Sequence, residues 1–351
     1  MSQRIEWIDT AKLFTMLLVV IGHCNYYTIS TPYGGIDFFS DAEGRSFIYR
    51  CLYWLVSFIY TFHMPLFMAL SGMCFSLSMK KIISFKSLIK SKAYRLLTPF
   101  FAVTICLSIP LKYFSGYWDD SENVLLDMFL GQFLLMGNSH LWFIVSLFWI
   151  FLAYYLIEKS NWRGYRLWIV LLFLSWLGWF VEPINNFIGI PAAFKHLFFF
   201  ALGYNCLPLI ESKRVQSKLL PYLCLLGVMF GQFVFGYIYY HSGDEVWISV
   251  LRPFTFTIFA ILGSFAVCAI SKNIGSTSHF TFLKSNTYEL YLYSDPFNYV
   301  LLFIGWNLWG AMHNSNLLSL IMFSSRFVIT LFCAIFLIYM VRYLHLKRIF
   351  V

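Results

Sequence analysis

Charge is what this chain has least of: Asp, Glu, Lys and Arg together make up 12% of its 351 residues, against about 25% in soluble globular proteins. So little charge cannot cover a surface in water, which excludes an ordinary soluble domain. The chain also lacks a Pro-, Gly- or Ser-rich linker, a low-complexity tract and an obvious repeat. Residues 1–351 therefore read as one domain. The eight cysteines form no CxxC pair and fall mostly inside apolar runs, where small polarizable side chains pack well. No disulfide framework and no metal site is expected of them. There is no phosphate-cradling GxxxxGK loop either.

What the chain has instead is 60% hydrophobic and 21% aromatic residues. Runs long enough to cross a hydrocarbon core recur along the whole length, about ten of them: roughly 10–29, 58–79, 94–115, 140–157, 166–181, 194–210, 218–240, 247–270, 287–305 and 317–341. The expected fold class is all-α, a polytopic membrane protein with about ten transmembrane helices in one bundle. The intervening segments 30–47 and 116–139 are each expected to hold an interfacial helix, and residues 50–62 to lie along the interface before the second span. The first run has no small-residue cleavage site and reads as an uncleaved anchor.

Lys and Arg collect on one side of these runs, in the N-terminal segment (Arg4, Lys12), in the stretch from Lys80 to Arg95 and in the tail. That bias places both termini in the cytoplasm, with the chain in the inner (cytoplasmic) membrane. The other side carries acids such as Asp37, Asp119, Asp120 and Glu182. The net charge of +9 is then a matter of topology and anionic lipid rather than of nucleic acid.

His23 is the most informative residue. It sits in an apolar run entered through Arg4, Glu6, Asp9 and Lys12, and ionisable groups inside spans usually face a bundle interior or a wet site. On a helix, Lys12 lies within about 20° of His23 and about 16 Å away along the axis, with Asp9 about 40° off. Asp9 and Lys12 are too deep to orient His23, so they either pair with each other or help hold a ligand. His63, His140 and His196 fall in the corresponding halves or ends of their own spans, a depth match that interfacial preference alone also produces. Asp295 and Arg326 lie near the middle of consecutive antiparallel spans, about 12 Å and about 14 Å from opposite ends. They are expected to form an ion pair, either structural or lining a cavity. Arg252, just before Pro253, is a candidate for gripping a polar ligand. Trp142 suits either sugar stacking or helix packing.

Two stretches carry a family resemblance. Arg4-Ile-Glu-Trp-Ile-Asp9-Thr-Ala-Lys12 followed by an apolar run to Gly22-His23 resembles the opening signature of the acyltransferase family 3 membrane proteins. Phe62-His63-Met64-Pro65-Leu66-Phe67, continuing to Leu70-Ser71-Gly72, is similar to that family's second motif. Arg95-Leu-Leu-Thr-Pro99 and His140-Leu-Trp142-Phe143 match two weaker patterns. Where many members carry Tyr-Leu-x-His near the penultimate span, this chain departs, with Tyr291-Leu-Tyr293-Ser294-Asp295-Pro296.

The resemblance implies transfer of an acyl group, usually acetyl from cytoplasmic acetyl-CoA, to a hydroxyl of a cell-envelope glycan or lipid-linked sugar. No permanently bound cofactor is implied. His is the side chain whose ordinary pKa suits a base at neutral pH. His23 would either take the hydroxyl proton or carry the acyl group itself, with His63 as the second catalytic candidate. Arg95, Lys12, Asp9 and Arg4 would serve the donor, Arg95 through a bidentate grip on phosphate. Trp142, His140 and Arg252 would serve the acceptor. The alternative is a transporter or flippase of a lipid-linked sugar, which also needs many spans and buried charges. The absence of similar halves argues against it.

Overall fold

In lipid every backbone donor and acceptor must find its partner within the protein, and a helix does this segment by segment. The chain is accordingly 80% helical and 2% strand. The computed structural model describes residues 5–39, 44–211, 217–242, 245–274 and 280–351, so Arg4, a donor-site candidate, lies outside the described residues.

Helix α1 (Glu6–His23) starts the bundle. The described residues of segment 30–47 do not form the expected interfacial helix: they contribute to an antiparallel hairpin, β1 (Thr28–Thr31) and β2 (Gly34–Asp37), with Thr28 opposite Asp37. Pro32 sits in the two-residue turn and Gly34-Gly35 follows it, a combination that favours a turn and penalises a helix. Helix α2 (Phe47–Tyr60) is joined to α3 (His63–Ser78) by two residues. Both ends of α2 rest at the end of the bundle where α1 finishes. Ser46 bonds Ser319 at 3.0 Å, and the Tyr60 ring lies against Gly22.

The remaining helices are α4 (Phe85–Phe114), α5 (Val124–Phe133), α6 (Trp142–Lys159), α7 (Tyr165–Val181), α8 (Ile190–Glu211), α9 (Leu220–Ser242), α10 (Val246–Ile274), α11 (Thr281–Ser285), α12 (Thr287–Ser294), α13 (Pro296–Trp309), α14 (Asn316–Tyr343) and α15 (Lys347–Phe350). Among the described residues, seven helices are long and apolar enough to cross a membrane, with α2 and α3 taken as one. The other expected runs are α1, which carries Glu6, Asp9 and Lys12 in 18 residues, the 17-residue α7, and α12 with α13, interrupted at Asp295. Segment 116–139 does hold a helix, α5, capped by Asn123, whose side chain accepts from the Leu126 amide.

Without a hydrophobic force between helices, close approach through small residues holds membrane bundles together. Here α3 and α8 touch backbone to backbone at two glycines. A Cβ on Gly72 would lie 2.1 Å from the Phe200 carbonyl oxygen, and one on Gly203 would lie 1.9 Å from that of Ala69. Gly72 belongs to the second sequence motif, so part of that motif is a packing device that seats His63 beside the start of α8. Phe75, Phe151 and Phe200 fill the space around this contact, with ring centroids 5.0–5.8 Å apart.

Candidate active site

Prolines inside the spans leave carbonyls without helical partners, because proline has no N–H to give to the residue four before it. At two positions a side chain from another part of the chain takes the free oxygen. Pro99 frees Arg95, whose carbonyl accepts from the Tyr288 hydroxyl at 2.9 Å. Pro296 frees Leu292, whose carbonyl accepts from His140 Nε2 at 3.3 Å. The second case holds the His140 ring beside the helix break. The break also delivers Asp295, 3% exposed, into the middle of the bundle.

The Asp295 carboxylate meets two imidazoles. One oxygen lies 3.2 Å from His23 Nδ1 and the other 3.7 Å from His140 Nδ1. Neither ring nitrogen is aligned for a hydrogen bond, so these are charge contacts of the kind that tighten when substrate closes a site. Asn298 and the Tyr26 hydroxyl approach the same carboxylate at 3.4 and 3.5 Å.

The expected ion pair between Asp295 and Arg326 is not present: no contact within 4.0 Å joins them among the described residues. The physical reason is that α1 ends at His23, which leaves its last carbonyls without intrahelical partners. The buried Arg326 fork takes the last of these, donating to the His23 carbonyl at 2.7 Å, and also donates to the Tyr26 carbonyl just beyond the helix at 2.7 Å and to Asn298 Oδ1 at 3.0 Å. Its guanidinium also stacks 4.5 Å from the Tyr26 ring. Arg326 therefore fixes the backbone that carries His23, and Asp295 is left to face the histidines.

His63 uses Nδ1–H to reach the Ile59 carbonyl at 2.9 Å, which leaves Nε2 as the basic nitrogen. Tyr60 stands between the two candidate bases, with ring centroids 6.5 Å from His23 and 4.7 Å from His63. His196 repeats the His63 arrangement through Ala192 at 2.9 Å and stacks near Trp142 at 5.3 Å.

His23, His63, His140, Trp142 and Arg252 all line one cavity of about 1130 Å³. Five of the sequence candidates thus come together although they lie on four different segments of the chain. The donor candidates do not join them. Asp9 and Lys12 pair with each other at 3.6 Å, the exposed Arg95 sits on α4, and from α1 the cavity lining includes only Val19, Gly22 and His23.

Two features of the site escape sequence reasoning, the partner of Asp295 and the role of Lys112. Asp295 was assigned to the wrong partner, although Pro296 immediately after it signalled a helix break. Lys112, fully buried, donates to Gln132 at 3.1 Å and to the Asn138 carbonyl. It packs over Tyr117 and Tyr299 at 4.5 and 4.8 Å, and so braces the segment that leads into His140. Nothing distinguished it in sequence from any lysine near a span end.

No curated protein and no solved structure matches this chain. The family described as an acyltransferase domain does match, over residues 5–349. That match spans nearly the whole length and takes in both the histidine-lined cavity and the segments that build it, so the chain belongs to acyltransferase family 3.

Proposed function

We propose that the protein is a membrane O-acetyltransferase that moves an acetyl group from cytoplasmic acetyl-CoA to a hydroxyl of an envelope glycan or a lipid-linked sugar. The observation that carries this reading is the His23–Asp295 contact on a cavity wide enough for a sugar, in a chain of an acyltransferase family. A base held by a carboxylate is the recurring arrangement for activating a hydroxyl. With Nδ1 turned to Asp295, His23 presents Nε2 to the cavity. The acceptor hydroxyl gives its proton to Nε2 as its oxygen attacks the thioester carbonyl, and the C–S bond breaks. The proton then passes from the imidazolium to the departing thiolate, which leaves as coenzyme A.

His63, its Nε2 likewise uncommitted, serves as a second base or holds the acceptor. Trp142, His140 and Arg252 form the acceptor wall. The donor approaches from the Asp9–Lys12 end, where Arg95, Lys12, Asp9 and Arg4 would meet its charged part, about 16 Å along α1 from His23. This assigns the chain to the cytoplasmic membrane with both termini inside. Purified protein incubated with acetyl-labelled acetyl-CoA should lose thioester slowly, and His23→Ala should stop that loss. Mass spectrometry of the trapped protein separates the two chemical routes: an acetylated His23 peptide marks an acyl carrier, and unmodified His23 marks a general base. Equal thioester loss by wild type and His23→Ala would remove the assignment.

A further inference from the structure

The cavity wall built by α7, α8 and α10 carries more positive charge than the protein neutralises. Gly178 lets α7 press against α8. A Cβ there would lie 2.4 Å from the Lys195 amide nitrogen, and Ser175 donates to the Lys195 carbonyl at 2.7 Å. This contact sets the Trp179 ring 4.5 Å from the Lys195 ammonium. The same ring lies 5.9 Å from the Arg252 guanidinium, which also stands 5.9 Å from the Tyr239 ring. Two cations thus share one indole. Among the described residues the carboxylate beside them, Glu182, is taken by Lys195 at 2.5 Å. Among the described residues the Arg252 guanidinium has no hydrogen bond and no ion pair. It lines the cavity, flanked by two rings, with a planar fork of five donors free.

We propose that this wall is an anion subsite, in which Arg252, whose charge no carboxylate takes among the described residues, grips an oxyanion of the acceptor through two parallel N–H bonds. The acceptor class is then a saccharide bearing a phosphate or a carboxylate, not a neutral one. The fork geometry of guanidinium matches both groups, and the Trp142 ring on the same cavity offers an apolar face to the sugar. This inference rests on the cavity being the acceptor chamber, as argued above.

The test uses full-length protein in lipid nanodiscs carrying His23→Ala, so that binding is read apart from turnover. Titration calorimetry compares three soluble probes: a neutral methyl glucoside, glucose 1-phosphate and a methyl glucuronide. At least one anionic probe should bind roughly tenfold or more tightly than the neutral one, a preference that weakens with added salt. Arg252→Gln should bring that probe down to the neutral value, while Arg252→Lys keeps part of the preference. A preference for the phosphate points to a phosphate-linked carrier; a preference for the glucuronide points to an acidic sugar residue. Equal binding of all three probes, no binding of either anion at the highest soluble concentration, or an unchanged preference in Arg252→Gln would overturn the subsite. Absence of acetyl transfer in the wild-type protein, with the anion preference intact in the His23→Ala background, would count against the enzymatic reading alone.

Discussion

Replacing Asp295 with Asn removes the charge that faces His23 while keeping the shape and most of the hydrogen bonds. At 3.2 Å, a full imidazolium–carboxylate attraction is worth about 5 kcal/mol at an effective dielectric of ~20. The imidazolium is only partly formed in the transition state, and Asp295 also faces His140. About half that energy, ~2–3 kcal/mol, therefore bears on the rate. At 1.36 kcal/mol per factor of ten, kcat should fall by about 10²-fold. Because Asp9 and Lys12 stand elsewhere on α1 and Arg95 stands on α4, none of them at the carboxylate, KM for acetyl-CoA should move by less than about threefold.

The substitution is tolerable structurally. Arg326 keeps its three acceptors, none of which belongs to Asp295, and an Asn oxygen still accepts from Asn298. Single-turnover acetyl transfer in nanodiscs reads the rate, and a thermal melt confirms folding. The decisive comparison is the double variant. If Asp295 acts through His23, the His23→Ala/Asp295→Asn protein should be no slower than His23→Ala alone. A folded Asp295→Asn protein with more than half the wild-type kcat, or losses that multiply in the double variant, would refute the positioning role.

Three further outcomes follow from the same geometry. Arg326→Lys should destabilise the bundle by about 3 kcal/mol or more, because a point-charge ammonium cannot serve three acceptors spread over a planar fork and buried acceptors are left unpaired; a melt unchanged within error would argue that the fork is dispensable. Gly203→Ala should cost at least the ~1–3 kcal/mol of core overpacking, since the new carbon would press on the Ala69 carbonyl rather than on a movable side chain, and retained detergent resistance would count against backbone contact between α3 and α8. Pro296→Ala restores a helical partner for the Leu292 carbonyl and so competes with His140; transfer should slow while the melting temperature holds or rises, whereas a fall in both would point to a purely structural proline.

The fold class and the cavity histidines were legible in sequence because each rests on a local signal. A run of apolar residues announces its own helix, and a histidine in such a run is conspicuous by cost alone. His23, His63 and His140 needed no knowledge of their neighbours to be singled out. The hairpin at 28–37 is encoded by Pro32 and Gly34-Gly35, local turn signals that the expectation of an interfacial helix in 30–47 overrides. The pairing of Asp295 was missed for a deeper reason. Depth along the membrane normal is readable from sequence, but the rotation of each helix about its own axis and its neighbours in the plane are not. Asp295 and Arg326 were therefore placed at one depth and joined, when other groups stood nearer to each.

The Arg326 arrangement also explains why a helix that ends at depth is affordable here. α1 stops at His23 rather than continuing, and each orphaned carbonyl at such an end would cost several kcal/mol in hydrocarbon. A buried guanidinium meets the His23 carbonyl, together with that of Tyr26 in the segment that follows, and gains the desolvated partners that a buried cation requires. The helix end and the arginine thus satisfy one another, and neither needs Asp295. That independence leaves the carboxylate available to the imidazoles. A chain with a longer α1 would have no carbonyls for Arg326 at this level, and the arginine would turn to Asp295, forming the very ion pair expected from sequence and withdrawing the carboxylate from His23. On this argument the termination of α1 at His23 is itself part of the site, and inserting a single helical turn after His23 should abolish transfer even with every site residue retained.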